Sequence, residues 1–178
     1  VREAYSPQSK TPSSKIPSVI FASSSAVYGC LGESLTHLTE NAPGLRPISL
    51  YGWQKYGSEQ MLARYHRAFG IPTLAFRFFN VYGPGQAADS PYSGVISLFS
   101  QKIRENEPLF LHDGGTQTRD FIFVSDIVDA LVRPLDLEQD RYAGQVMNLG
   151  SEQPVSIRDL AMALFESAGI SHGIGERL

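Results

Sequence analysis

Apolar positions along this chain follow two alternating patterns. Short runs bounded by turn residues predict buried strands: "SVIFASS" (18–24), "TLAFRFF" (73–79), "PLFLHD" (108–113), "DFIFV" (120–124) and "QVMNLG" (145–150). Longer stretches between them repeat their apolar residues near the helical period. "SLYGWQKYGSEQMLARYHRAF" (49–69) groups Trp53, Tyr56, Met61, Leu62, Tyr65 and Phe69 on one face and closes at Gly70. "GVISLFSQKIREN" (94–106), residues 125–135 with Ser125 as N-cap, and "SIRDLAMALFESAG" (156–169) from Ser156 predict three further helices. The Ser-, Pro- and Lys-rich residues 6–18, the stretch carrying Gly29, Gly32, Pro43, Gly44 and Pro47, and "NVYGPGQ" (80–86) are expected as loops and turns. Strands alternating with helices indicate an α/β fold with a mostly parallel sheet. No internal repeat or low-complexity segment interrupts the pattern.

Composition narrows the picture a little. A chain of 178 residues has room for one domain with a sizeable core. With 42% apolar and 19% charged residues it has the make-up of a soluble globular protein. The net charge is −3 and the basic residues are scattered, which argues against nucleic acid or an anionic membrane as partner. No apolar run approaches the roughly 20 residues of a membrane helix. Cys30 is the single cysteine, so no internal disulfide forms, and a reducing, cytoplasmic location is expected. It has no neighbouring Cys or His that would make a metal site. The first residues, "VREAYSPQSKTPSSK", contain neither a signal-peptide core nor an initiator Met, and the expectation is a chain that begins in mid-protein.

In open parallel sheets ligands bind beyond the carboxyl ends of the strands. "ASSS" (22–25) ends the first predicted strand and "RFFNVYG" (77–83) the second. Between them, Tyr51 and Lys55 in "YGWQK" are spaced i, i+4 and so project from one helical face. An ammonium beside a phenol favours the phenolate, the form an acid/base tyrosine needs. A serine hydroxyl opposite would hydrogen-bond the same substrate oxygen. Each piece also has a plainer meaning. Serines at strand ends are turn formers, Y-x-x-x-K recurs by chance, Phe78 fits a core position, His112 a structural or solvent-facing one, and Asn148 a turn. Arg119 suits a surface pair with Asp120 or Asp126.

The order of the pieces carries more than any one of them. "SSSAVYG" (23–29), "YGWQK" (51–55), "RFFNVYGPGQ" (77–86), "GGTQTRDFIFVSDIVDAL" (114–131) and "MNLGS" (147–151) resemble, in sequence, the extended short-chain dehydrogenase/reductases. Within them the chain is most similar to the NAD-dependent nucleotide-sugar 4-epimerases of the UDP-glucose/UDP-galactose type. The resemblance spans nearly the whole chain. It implies a Rossmann-like fold, with residues 1–94 forming the catalytic part of an incomplete NAD-binding domain. Residues 95–178 then mix substrate-domain and returning Rossmann segments. It implies a catalytic set of Ser24, with Ser25 as the alternative, Tyr51 and Lys55. Ser23, Tyr51, Lys55 and Phe79 would contact NAD. Ser24, Ser25, Asn80 and Arg119 would contact the nucleotide sugar, a UDP-hexose, with Asn80 and Arg119 on its diphosphate. The "PLFLH" strand (108–112) would run along the base and ribose. The implied assembly is a homodimer, and no metal is involved.

Two departures accompany the resemblance. Nothing before "SVIFASSS" supplies the Gly-rich turn that cradles a cofactor pyrophosphate. Gly169, Gly173 and Gly175 in "AGISHGIGERL" have fingerprint spacing but follow a helix, so a helix C-cap and loop are expected there. The later substrate segment of the family would lie beyond Leu178. The expectation is a fragment, inactive alone. Related 4,6-dehydratases carry an Asp-Glu pair after the catalytic hydroxyl, and decarboxylases a Glu before V-Y-G. Here those positions are Ser25 and Ala26, which favours epimerization. A dehydratase or decarboxylase of the same family, or a non-catalytic nucleotide-binding relic, remain the alternatives.

Overall fold

The computed structural model of the chain describes residues 17–29, 37–87 and 94–170. Three parallel strands make one sheet in the order β1 (Val19–Ser24), β2 (Thr73–Phe78) and β5 (Gln145–Leu149). The registers run from Val19 opposite Thr73 to Ser24 opposite Phe78, and from Leu74 opposite Gln145 to Phe78 opposite Leu149. All three strands therefore end level, at one edge. A second small sheet holds β3 (Asn80–Tyr82), β4 (Thr118–Phe123) and β6 (Pro154–Ser156). There β3 and β4 run parallel while β6 runs antiparallel to β4. The fold is the expected mixed α/β, mostly parallel and Rossmann-like.

Helix α1 (Leu50–Phe69) crosses from β1 to β2. Ser49 caps it, accepting from the Gly52 N–H at 3.0 Å, and Gly70 closes it in the left-handed region at φ 69°. Helices α2 (Val95–Arg104), α3 (Val124–Val132) and α4 (Ile157–Ser167) follow. Ser156 caps α4 reciprocally with Asp159: its Oγ accepts from Asp159 N–H at 2.9 Å and donates to Oδ2 at 2.6 Å. Past α4, Gly169 N–H reaches Glu166 O and Ile170 N–H reaches Phe165 O, the paired closure that a left-handed glycine permits. That is the C-cap role expected of Gly169. Gly173, Gly175, Cys30 and the N-terminal loop lie outside the described residues.

Two apolar clusters hold these elements. Phe99, Ile103, Leu109, Ile157, Ala161 and Phe165 join α2 to α4. Leu74, Phe76 and Tyr142 sit on the parallel sheet, with Phe78 packed against them as a core residue.

Four local expectations differ from the structure. Residues 108–111 form no strand: they pair with no strand among the described residues, and Leu109, with Leu111 beside it, plugs the α2–α4 cluster while Phe110 is 76% exposed. A turn over His112–Gly115 follows, with His112 exposed. Helix α3 starts at Val124, directly from β4, so Ser125 lies inside its first turn and does not cap it. "NVY" is a short strand, because β4 offers it a parallel partner. Last, the aromatic face of α1 stays outside: Trp53, Met61, Tyr65 and Phe69 are all about half exposed, and the helix packs instead through Gly52 and Glu59.

Candidate active site

Strand alternation sorts the serines at the end of β1. Ser23 turns under α1, where it is buried and donates to Glu59 Oε1 at 2.5 Å. Its hydroxyl is thus committed to the interior. Ser24 is extended (φ −151°, ψ 149°) and its Oγ accepts from Ala26 N–H at 3.2 Å. It thereby caps a tight turn over Ser25–Tyr28. Gly29 ends that turn at φ 53°, pressed against Arg46 O, where a Cβ has no room.

The turn lies against the first turn of α1. A Cβ at Gly52 would stand 2.7 Å from Ala26 O and 3.0 Å from Pro47 Cβ, so the glycine of "YGWQK" sets how closely they approach. On the same helix, Lys55 Nζ donates to Ala22 O at 2.7 Å. It lies 5.0 Å from the Phe21 ring centroid and 5.5 Å from that of Tyr51. The i, i+4 pair therefore shares one face, with the ammonium between the phenol ring and the end of β1. Tyr51 itself is 51% exposed.

A cleft of about 1020 Å³ opens at the carboxyl ends of the parallel strands. Ser24, Ser25, Phe79, Asn80 and Arg119 all line it, together with Ser49 just before α1. Tyr51 and Lys55 are not in its lining; they stand in the first two turns of the helix that Ser49 caps. Asn80 Nδ2 donates to Asp120 O at 2.9 Å. Arg119 is exposed and donates to Thr118 O at 2.7 Å and to Gln117 Oε1 at 3.4 Å. It forms no ion pair with Asp120 or Asp126. The Asp120 carboxylate instead gathers Ser151 N–H, Ser151 Oγ and Glu152 N–H at 2.7–3.0 Å. The "GS" of "MNLGS" is thus tied to the "RD" of "TRDF".

Behind the cleft lies a buried polar network that sequence reasoning missed. Arg77 grips Glu59 with two parallel bonds, Nε to Oε1 at 3.0 Å and Nη2 to Oε2 at 2.8 Å. Both side chains are almost fully buried. Arg77 Nη1 also donates to Tyr28 Oη at 2.9 Å and Glu40 O at 3.2 Å. Burial by itself lowers the Arg77 pKa; the hydrogen bonds and charge of Glu59, with help from Tyr28, outweigh it and hold the guanidinium above its ordinary value. Tyr28 Oη reaches Asn148 Oδ1 at 2.7 Å, and Asn148 Nδ2 donates to Leu38 O at 2.8 Å. Asn148 is therefore a strand residue inside the network, not a turn. One signal in the sequence marks Glu59: it continues the Tyr51, Lys55 spacing by four more residues.

A parallel α/β sheet whose serine-bearing strand end meets a Y-x-x-x-K helix defines the extended short-chain dehydrogenase/reductase class. The chain belongs to the NAD dependent epimerase/dehydratase family, whose pattern matches residues 9–150. It is 39% identical to dTDP-L-rhamnose 4-epimerase of Burkholderia thailandensis over 65% of this chain and 31% of that one. Among solved structures it is similar to UDP-N-acetylglucosamine 4-epimerase of Methanobrevibacter ruminantium M1 in complex with UDP-N-acetylmuramic acid. That likeness has a TM-score of 0.77 and 33% identity over 85% of this chain and 47% of that one. UDP-glucuronic acid 4-epimerase of Bacillus cereus in complex with NAD gives 0.71 and 32% over 84% and 46%. The chain thus spans less than half the length of each.

NAD is the cofactor of the family. The donor set present suits its nicotinamide end: an ammonium fixed beside the end of β1, a serine hydroxyl and the Phe79 ring in the cleft wall. Among the described residues there is no Gly-rich strand–turn–helix for the pyrophosphate, no cluster of three or more metal-ligating side chains, and no helix long and apolar enough to cross a membrane.

Proposed function

We propose that this chain is the catalytic segment of a nucleotide-sugar 4-epimerase acting on a UDP-hexose. The observation that carries the reading is the position of Lys55, fixed between the Tyr51 ring and the end of β1 on the helix that starts at the cleft Ser24 lines. Tyr51 Oη removes the proton of the sugar 4-hydroxyl as general base and returns it in the second half-reaction. Ser24 Oγ holds the same oxygen. Lys55, held beside the Tyr51 ring, hydrogen-bonds the nicotinamide ribose. Bound NAD supplies hydride uptake at C4 and hydride return to the opposite face of the 4-keto sugar. Arg119, free of any carboxylate partner among the described residues, offers its guanidinium fork to the diphosphate, with Asn80 beside it. The exposed aromatic face of α1 supports a homodimer.

Ser25 and Ala26 favour epimerization over the dehydratase and decarboxylase readings, since neither offers a carboxyl group for removing water or assisting loss of CO₂. The test is to incubate the full-length protein with UDP-glucose, UDP-galactose and their N-acetyl and uronic acid forms, and to follow products by NMR. C4 epimers are expected. A 4-keto-6-deoxy sugar or a pentose as sole product rejects epimerization.

A further inference from the structure

Tyr51, Lys55 and Glu59 lie at i, i+4 and i+8 of α1 and so form one stripe along the helix. Tyr51 belongs to the proposed chemistry. The other two are bolts. Lys55 is fastened to the backbone of β1 at Ala22, and Glu59 to the very next residue, Ser23. Glu59 is at the same time held by Arg77 of β2, whose register partner in β1 is Ser23. Arg77 continues to Tyr28, the last residue of the turn that follows Ser24. One carboxylate thus connects the acid/base helix, the strand before Ser24, and through Arg77 the turn after it. Apart from these bonds, α1 packs through Gly52 and through half-buried Tyr56, Leu62 and Ala63, while Trp53, Met61, Tyr65 and Phe69 stay about half exposed.

We propose that Glu59, seated on Arg77, is a positioning residue that sets the register between the helix carrying Tyr51 and the strand end carrying Ser24. Since a helix rotates 100° and rises about 1.5 Å per residue, freeing this bolt lets Tyr51 Oη and Ser24 Oγ drift apart by amounts that matter. Misplacement of about 1 Å costs on the order of 10²-fold in rate. The inference rests on the reading of Ser24 and Tyr51 given above, and the experiment separates the two.

Ser24→Ala, Ser23→Ala, Glu59→Gln and the double variant Ser24→Ala/Glu59→Gln are made in the full-length protein, with thermal melts and bound-NAD absorbance as controls. Glu59→Gln is expected to lower kcat roughly 10²-fold while KM for the nucleotide sugar stays within about threefold. The double variant is expected to fall no more than about threefold below Ser24→Ala alone, because removing Ser24 removes what Glu59 positions. A residue needed only for folding would multiply with Ser24→Ala, and that result overturns the inference while leaving the site reading intact. Full activity of Ser24→Ala overturns both. Should Glu59→Gln not fold, Ser23→Ala decides: it frees one bolt while Glu59 keeps Arg77. A several-fold loss of kcat at unchanged melting temperature supports the inference, and unchanged kcat rejects it.

Discussion

Tyr51 is half exposed and carries its ring beside the Lys55 ammonium, and these two facts assign it separable roles. In the proposed reaction the phenol oxygen handles a proton, while the ring contributes surface that phenylalanine would reproduce. Tyr51→Phe in the full-length protein is therefore expected to lower kcat by about 10²–10⁴-fold, the usual share of a general acid–base group, while bound NAD is retained. Single-turnover kinetics with cofactor absorbance checks both, and a near-normal kcat assigns the base to another group. The proposed roles of Tyr51, Lys55 and Ser24 rest on local spacing: four residues along a helix, or the end of a strand. The burial of Ser23 could not be read that way. Whether a strand-end serine faces ligand or interior depends on what lies above it, and here that is Glu59 of a helix more than thirty residues away.

At the scale of elements, β1, α1 and β2 are joined by polar contacts as much as by apolar ones. Arg77 and Glu59 are 4% and 1% exposed, paired, and bonded to Ser23 and Tyr28 as well. Removing one member strands the other charge away from water. Arg77→Met is expected to cost about 3–5 kcal/mol of stability, as for other broken buried pairs, read from urea midpoints of the full-length protein. A loss under about 1 kcal/mol would place the pair in the surface class. Because its pKa is raised, the arginine contributes stability below its ordinary titration range and loses it only as pH climbs past the raised value, so ordinary buffers leave the guanidinium charged. The aromatic stripe of α1 shows the converse. Its period was readable, yet period identifies a face and not its occupant.

For the whole molecule, the described residues build the strand ends, the helix proposed to carry the acid/base and part of the cleft wall, over less than half the length of the relatives. A Rossmann-type cofactor takes most of its pyrophosphate affinity from a Gly-rich first turn and helix N-terminus. The chain 1–178 on its own is therefore expected to show no measurable NAD binding at concentrations that saturate the full-length protein, and no epimerase activity. Isothermal titration of the purified chain decides it. Micromolar binding would mean that Gly169, Gly173 and Gly175, or another segment, supply the cradle.

What the sequence determined by itself was whatever its local periods and caps encode. The alternation of strand and helix, the Ser49 and Ser156 caps, the glycine closures and the order of the five motifs follow from residues a few positions apart. Tertiary structure decided everything that needs a partner distant in the chain. Residues 108–111 carry a strand-like pattern but meet no strand, so Leu109 becomes a plug between α2 and α4. "NVY" reads as a turn but becomes a strand because β4 runs beside it. Asp120 leaves Arg119 unpaired because its carboxylate is taken by Ser151 and Glu152, thirty-one and thirty-two residues on. And Glu59, an ordinary surface residue by composition, is buried because Arg77 of the neighbouring strand supplies the opposite charge, and Ser23 a further hydrogen bond, that make its burial tolerable.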